Sequence, residues 1–559
     1  MFYKGIVLDL DDTIYSYETC HSISLNKVLS FLQINYTVEK NKEEIKSLYD
    51  KVSKNLKNEL VNTASSHNKS IYFKGLLEYL NLNISILDTL NELYWTTFFD
   101  NIVCFYGVKE FIAWNKQMGV KIGILTDYET EYQIKKLNKL GVTQYIDVIV
   151  TSEEVGIEKP SVQMFQTILR KLKLNADEVI MIGDNFEKDI QGAVNMGIFG
   201  YWLHKNNSQN NKYNEFYCYQ KIRSEFKEIH DTLNLFKKIS KFAGERFDLV
   251  QAGGGNSSVK IGNWMFIKAS GVNMTSIDTR NGYVIINNQN LLDDIDNDCV
   301  KDVTKYNLIG TKRASIETFM HAILKKYTLH LHPIQVIRIL ITMEAKNIIK
   351  ELFPQSLIID YLTPGIQICN AIKRVYNNEK LIFLINHGII ITSDQPEDIY
   401  EILKEVIDKF EIKQEINYDK YKYTNEISKY INTNFDVDNV SYLCENRNIM
   451  DYLINKTQLL KEKITFPDAL IYCGIKVLFL KTLDEIKEFR EKYDELPKII
   501  VINNSIYINA ISLNKCKEIE EVLLSNLIIL DSNFEKVYLP DDEICFLNNW
   551  DAEKYRKLL

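Results

Sequence analysis

The sequence predicts an α/β protein built from several domains, and three features predict it. At 559 residues the chain is too long for a single hydrophobic core. Short apolar runs ending in carboxylates alternate with helix-period segments through the first two hundred residues, the pattern of a doubly wound parallel sheet. A second α/β pattern, which opens on a glycine-rich turn and carries clustered histidines, follows an asparagine-rich break. The expected units are 1–204, with a helical insert over about 16–105, a linker and helix over 205–232, a second α/β domain over 233–425 and an extension over 426–559.

Composition narrows the function classes. Hydrophobic residues make up 46% and charged residues 25%, so neither global disorder nor a membrane protein is expected. The longest uncharged apolar-rich run, Ile499 to Asn514, is short and holds four asparagines, unlike a membrane span. Acidic residues follow the start MFYKGIVLDLDD too soon for a secretory signal, so a cytoplasmic protein is expected. A net charge of −8 without a Lys/Arg stripe argues against nucleic-acid binding and leaves room for small anions held by loop amides. The nine cysteines are scattered without a CxxC pair and are expected to be reduced and buried.

In the first domain, KGIVLDLDDT is an apolar strand ending at Asp9, Asp11 and Asp12. Further strands are expected in VKIGILTD, ending at Thr126, in DVIVTSE before Lys159-Pro160, and in EVIMIGDN, ending at Asp184. QIKKLNKLG and VQMFQTILRKL supply intervening helices. Open parallel sheets bind ligands at the carboxyl ends of their strands, which is where these polar residues fall. Between Tyr15 and Phe105, SISLNKVLSFL and SILDTLNELYWTTFF have helical periodicity, while ASSHNKS around His67 reads as a solvated loop.

In this order, Asp9-x-Asp11-x-Thr13, Thr126, Lys159, and Gly183-Asp184 with Asp189 resemble the four motifs of the haloacid dehalogenase superfamily. The resemblance spans residues 1–204 and implies a Rossmann-like domain with a helical cap that closes over a phosphorylated substrate. It implies that Asp9 is the nucleophile and that Asp11 protonates the leaving oxygen and then activates water. Thr126 and Lys159 would hold phosphoryl oxygens. Mg²⁺ would sit on the Asp9 and Asp184 carboxylates and the Asp11 carbonyl, with Asp189 orienting Lys159 or a metal-bound water. The second aspartate, Asp11, points to phosphatases rather than dehalogenases, and phosphomutases share the motif.

His204 to Glu215, HKNNSQNNKYNE, reads as linker, followed by a helix from about Tyr219 to Phe242. LVQAGGGNSSVKIGNWMFIKASGVNM then sets a glycine-rich turn between short strands, where positive φ and close approach to an anion are available. In RASIETFMHAILKKYTLHLHP, Glu317 and His321 share a helix face before the period changes to two. That change puts His330 and His332 on one side of a strand, roughly 7 Å apart. His387 interrupts the apolar run KLIFLINHGIII. Four of the eight histidines thus lie between 321 and 387, a donor set suited to zinc.

Ser315-Ile316-Glu317 with His321, His330-Leu331-His332 and Asn386-His387-Gly388 resemble the class II, zinc-dependent sugar-phosphate aldolase family. The resemblance implies Zn²⁺ on His330, His332 and His387, with Glu317 as the acid/base that also touches the resting metal. It implies that Gly255, Asn256, Ser258, Ser270, Gly271 and Ser315 contact the substrate phosphate. Ile316 departs from the pattern, standing where many short aldolases have a second serine. FPDALIYCG at 466–474 and the closing YLPDDEICFLNNWDAEKYRKLL are similar to the longer rhamnulose-1-phosphate type, without its dehydrogenase and without a GxGxxG.

Together the resemblances imply a bifunctional enzyme: Mg²⁺-dependent phosphomonoester hydrolysis through an aspartyl phosphate, and Zn²⁺-dependent aldol cleavage or condensation of a ketose 1-phosphate with dihydroxyacetone phosphate and an aldehyde. Expected partners are phosphorylated sugars and further copies of the chain, with no nucleic acid or membrane. The aldolase family also holds epimerases, a dehydratase and adducin-like proteins lacking the histidines, so epimerisation, dehydration and non-catalytic binding are the alternatives. Because ester hydrolysis is irreversible in water, coupling alone suggests a synthetic direction: condensation followed by dephosphorylation.

Overall fold

The computed structural model describes residues 2–36, 40–204, 214–300, 302–309, 312–410, 418–533 and 535–549. The chain divides into two compact units, Met1–Asp231 with Leu308–Thr311, and Thr232–Asn307 with Lys312–Leu559. Among the described residues no helix is long and apolar enough to cross a membrane.

The first unit is built on six parallel strands: β1 (Gly5–Leu8), β2 (Lys121–Thr126), β3 (Val148–Thr151), β4 (Val179–Gly183), β5 (Phe199–Leu203) and β6 (Asn214–Phe216). Their order, β3-β2-β1-β4-β5-β6, is the Rossmann-like arrangement, and the order reverses between β1 and β4. The central strands are largely apolar because helices cover the sheet; Val7, Leu125, Val150 and Met181 pack with Phe165 and Ile168. The strand β6 was not expected. It lies at the end of the asparagine-rich stretch, where no alternating pattern marks it, and the preceding linker residues 205–213 fall outside the described residues.

Between β1 and β2 come four cap helices, α1 (Tyr17–Asn35), α2 (Lys42–Glu59), α3 (Lys69–Tyr79) and α4 (Leu87–Asn101), then α5 (Val108–Gln117). The side chains of Ser16, Asn41 and Asn68 cap α1, α2 and α3 by accepting first-turn amides, and Asn41 with Glu44 completes a reciprocal capping box. After β2, α6 (Thr130–Leu140) ends on Gly141 in the left-handed region.

A second sheet has eight strands, β7 (Asn256–Ile261), β8 (Trp264–Lys268), β9 (Tyr283–Asn287), β10 (Asn307–Ile309), β11 (Tyr327–Leu331), β12 (Leu357–Ile359), β13 (Leu381–Leu384) and β14 (Gly388–Ser393), in the order β10-β9-β8-β7-β11-β14-β13-β12. The central strand β11 is antiparallel to β7 and β14, with His330 opposite both Asn256 and Ile390. The helix expected from Tyr219 is present as Tyr219–Gly244.

Residues 440–510 form a separate sheet, in the order β15-β18-β17-β16, from β15 (Val440–Cys444), β16 (Leu478–Phe479), β17 (Ile499–Ile502) and β18 (Ser505–Ala510). β17 is apolar at every position because both faces are covered: Ile499 and Val501 pack with Leu523 and Leu527, Ile500 and Ile502 with Ile427 and Ile431. No cysteine is in a disulfide. Five are buried, as expected, but Cys104 and Cys218 are half-buried and Cys299 and Cys545 are exposed.

Candidate active sites

In the first unit, Asp9 follows β1 and Asp184 follows β4, so both lie where the strand order reverses, the usual ligand crevice of such sheets. Lys159 Nζ donates at 2.6 Å to Asp9 Oδ1 and at 2.6 Å to Asp189 Oδ1. Thr13 Oγ1 lies 3.2 Å from Asp9 Oδ2 and accepts from the Asp184 amide at 3.1 Å. Gly183 leaves room for this packing, because a Cβ there would come within 2.3 Å of Asp189 Oδ2.

Carboxylate oxygens of Asp9, Asp184 and Asp189 all lie within 4.8 Å of one another. Burial pushes the Asp9 carboxyl well above its usual range; Lys159 opposes this, while Asp189 and Asp184 add to it. Burial lowers Lys159, but Asp189 and Asp9 outweigh it and hold the ammonium well above its usual value. Three hard oxygen donors around one ammonium leave surplus negative charge, which fits Mg²⁺.

Asp11 faces other partners. Its carboxylate accepts from Lys136 Nζ at 2.8 Å, from Gln133 Nε2 at 3.1 Å and from the Tyr15 hydroxyl. Burial raises its carboxyl, but Lys136 and these donors outweigh burial and bring it below the usual range. Thr126 is inaccessible, and its Oγ1 accepts from Gln133 Nε2 at 2.5 Å.

In the second unit, His330 is inside β11, His332 just past its end, and His387 in the turn between β13 and β14. His330 Nε2 is 3.1 Å from His332 Nε2 and 3.3 Å from His387 Nε2. Glu317 Oε1 lies 3.3 Å from His330 Nε2 and 3.4 Å from His387 Nε2. Four ligands on a tetrahedral ion bound at about 2.0–2.1 Å stand about 3.3 Å apart, close to these four contacts, and the three ring nitrogens all lie within 4.8 Å of one another. His330 Nδ1 donates to the Ile389 carbonyl at 2.9 Å, which turns its Nε2 lone pair toward the cluster. Three imidazole nitrogens within 4.8 Å of one another beside a carboxylate are a donor set that fits Zn²⁺.

Burial raises Glu317, but the charge and hydrogen bonds of His330 and His387 outweigh it and hold the carboxyl far below the usual range. Gly388 is needed beside His387: a Cβ there would meet the Leu331 carbonyl oxygen at 2.3 Å and His332 Cδ2 at 2.9 Å.

Of the phosphate-contact candidates, Gly255 and Gly271 have positive φ, at 66° and 74°. Ser270 and Gly271 are exposed, and Ser315 Oγ accepts from the Glu317 amide at 3.3 Å. Asn256 is inaccessible, with its Nδ2 unpartnered. Strand alternation puts Ser258 one pair deeper on the His330 face, where its hydroxyl engages His321 Nδ1 at 2.8 Å. Burial takes that imidazole down to about 3, so His321 is a neutral core group outside the cluster.

The haloacid dehalogenase-like hydrolase model matches residues 6–202, and the Class II Aldolase and Adducin N-terminal domain model matches residues 238–413. Over 197 residues the chain is 33% identical to ribulose-1,5-bisphosphate 5-phosphatase of Halopiger xanaduensis, covering 35% of this chain and 82% of the relative. The chain belongs to the haloacid dehalogenase-like hydrolases, and it carries a class II aldolase domain. Its hydrolase domain is also 28% identical over 210 residues to glyceraldehyde 3-phosphate phosphatase of Methanocaldococcus jannaschii, covering 35% of this chain and 82% of that one. The N-terminal class II aldolase domain of a conserved protein from Thermoplasma acidophilum has 24% identity and a TM-score of 0.30, covering 32% of this chain and 92% of that one. The protein is an enzyme, a phosphatase of the sugar-phosphate type joined to a class II aldolase/adducin-like domain.

Sequence reasoning missed Lys136 in the hydrolase domain. A signal existed: Gln133, Lys136, Leu137 and Leu140 share the buried stripe of α6, an unusual place for a lysine. His67 is not simply solvated, since its Nε2 lies 3.0 Å from Glu158 Oε1. In the aldolase domain Lys268 was also missed. It is buried, and its Nζ donates to the carbonyls of Gly253 at 3.2 Å and Val272 at 2.9 Å, tying the two substrate-side turns together.

Proposed function

We propose that the hydrolase domain removes one phosphate from a ketose bisphosphate and that the aldolase domain splits the resulting ketose 1-phosphate into dihydroxyacetone phosphate and an aldehyde. The relative named ribulose-1,5-bisphosphate 5-phosphatase supports the first step, since loss of a 5-phosphate leaves a 1-phosphate. This order is the reverse of the synthetic direction that coupling alone suggests. The observation that carries the lyase half is the convergence of the His330, His332 and His387 ring nitrogens, with Glu317 beside His330 and His387. It also weighs against a purely adducin-like binding role, which needs no converging imidazoles. Nine cysteines, none of them in a disulfide, support a reducing, cytoplasmic setting, and a homo-oligomer remains part of the reading.

At the hydrolase site an Asp9 carboxylate oxygen attacks phosphorus while the ester oxygen leaves with a proton from Asp11. Water then attacks the acyl phosphate, returns a proton to Asp11 and frees Asp9 and phosphate. Lys159 holds the phosphoryl oxygens, Asp189 keeps Lys159 in place, and Thr126 would join Lys159 only when its hydroxyl leaves Gln133. Mg²⁺ on Asp9, Asp184 and the Asp11 carbonyl would supply the charge that lets a phosphate dianion approach carboxylates.

At the aldolase site the turn at Gly255, with Ser270, Gly271 and Ser315, takes the phosphate, while Asn256 and Ser258 lie buried behind it. Glu317 takes the proton of the C4 hydroxyl as the C3–C4 bond breaks and returns one to C3 of the enediolate, which becomes dihydroxyacetone phosphate. Zn²⁺ on His330, His332 and His387 would supply Lewis-acid charge at the C2 carbonyl oxygen as the C3–C4 bond breaks.

The intact protein, given a ketose 1,5-bisphosphate with Mg²⁺ and Zn²⁺, should release phosphate first and dihydroxyacetone phosphate second. His330→Ala should stop only the second product. Formation of an isomeric or dehydrated ketose phosphate in place of dihydroxyacetone phosphate would replace the aldol assignment with epimerisation or dehydration.

A further inference from the structure

The cavity above Asp9, about 500 Å³, has a cap wall that phosphoryl transfer alone does not use. Lys69, the first residue of α3, lines it and is 5% exposed. Unlike Lys159 and Lys136, it has no carboxylate within ion-pair distance among the described residues. Its Nζ reaches only the His67 carbonyl, at 3.4 Å, and the faces of Tyr72 and Tyr17, at 4.9 and 5.6 Å. Burial, helped by the charges of Lys57 and Lys136 and opposed by Asp11, brings its ammonium down to about 7. A buried ammonium without a counter-ion is costly, and a ligand that supplies the missing anion removes that cost.

Two further groups that line the cavity, Tyr49 on the cap and Tyr128 just after β2, point to a ligand. The Tyr49 hydroxyl is buried without a hydrogen-bond partner, and Tyr128 is held at a φ of 110°, a strained backbone for a non-glycine residue. The acidic residues lining the cap side, Glu18 and Asp50, are exposed, so the charge that a ligand meets in depth is that of Lys69.

We propose that Lys69 receives a second anionic group of the phosphatase substrate, so that the site selects sugars carrying two phosphates, one at Asp9 and the other under α3. This rests on the phosphatase reading above. A substrate with one phosphate leaves either Asp9 or Lys69 without its partner, so compounds such as dihydroxyacetone phosphate are poor substrates.

The test uses the full-length protein and measures phosphate release from a ketose 1,5-bisphosphate, the matching 5-phosphate and p-nitrophenyl phosphate. Wild type should prefer the bisphosphate. Lys69→Met should lower kcat/KM for it between about 10- and 100-fold, mostly through KM, and change the two monoesters less than about threefold, with partial recovery in Lys69→Arg. Retained p-nitrophenyl phosphate activity shows that the variant folds. If Lys69→Met does not fold, the wild-type preference decides. Equal losses on all three substrates, or no wild-type preference for the bisphosphate, would overturn the assignment of Lys69 while leaving the phosphatase intact. No wild-type release from any ester would overturn the phosphatase reading and this one with it.

Discussion

The two clusters solve opposite electrostatic problems. Around Asp9 the chain supplies its own counter-charge: Lys159 is shared by Asp9 and Asp189 at 2.6 Å each, so the cluster is pinned by charge-assisted hydrogen bonds even before a cation arrives. Around His330 three ring nitrogens converge at 3.1 and 3.3 Å with only Glu317 to accept their protons. On the proposed reading the first site would use a metal to act, whereas the second would also use one to hold its converging imidazoles together. Dependence on metal should therefore separate the two domains in stability as well as in activity.

The largest effects come from removing the group on which each cluster is centred. Asp9→Asn should lower phosphate release by several orders of magnitude while leaving cleavage of a supplied ketose 1-phosphate nearly unchanged. His332→Ala should lose zinc and aldol cleavage together, with phosphatase activity retained. Bound-metal analysis beside both assays checks the pair, and full cleavage by a zinc-free His332→Ala protein would dissolve the contrast.

Glu317→Gln sharpens it. The imidazoles keep most of the zinc, while turnover falls by about 10²- to 10⁴-fold because the lost function is proton transfer. Loss of zinc in step with activity would instead make Glu317 chiefly a ligand.

A smaller effect is read in unfolding. Zinc at a thousandfold excess over its Kd should stabilise the second unit by about 4 kcal/mol, and chelation should remove this without moving the transition of the hydrolase domain. Calorimetry of the intact chain with and without chelator makes the comparison, and a common shift of both transitions would count against it.

What the sequence made legible, and what it did not, follows from range. DLDDT, the Gly183-Asp184 pair and HLHP are local patterns in which spacing alone puts polar atoms at a strand end or on one face. Rossmann-like strands and their alternating helices are legible for the same reason. Lys136 and Lys69 gain their meaning from partners far along the chain, Asp11 in one case and the cavity over Asp9 in the other. Lys69 was hidden in ASSHNKS, a stretch whose polarity looks like solvation. Ser258 is instructive in another way: the resemblance implied a phosphate contact, but its place on the His330 face and its depth became visible only with the β7–β11 register. β6 carries no hydrophobic pattern because three residues at a sheet edge need none.

The finest test of the contrast is proton release. Burial lowers the His330 imidazole, but the charge and hydrogen bond of Glu317, with the Ile389 carbonyl, outweigh it and raise it above its usual value. His332 is held down to about 3 by burial and by its neighbours His330 and His387, so it carries no proton near neutrality. Metal-free protein near pH 6.5 thus keeps its proton on His330, and zinc must displace it. Apparent zinc affinity then weakens as pH falls through the raised His330 value, by up to about tenfold per pH unit. In Glu317→Gln the raising influence is gone and burial dominates, so His330 is neutral and the proton released on binding falls from about one toward zero. Calorimetric zinc titrations near pH 6.5 in two buffers of different ionisation enthalpy measure that number directly. Equal proton release by wild type and Glu317→Gln would mean that Glu317 does not hold the charge of the metal-free cluster, and the contrast with the Lys159-balanced site would have to be redrawn.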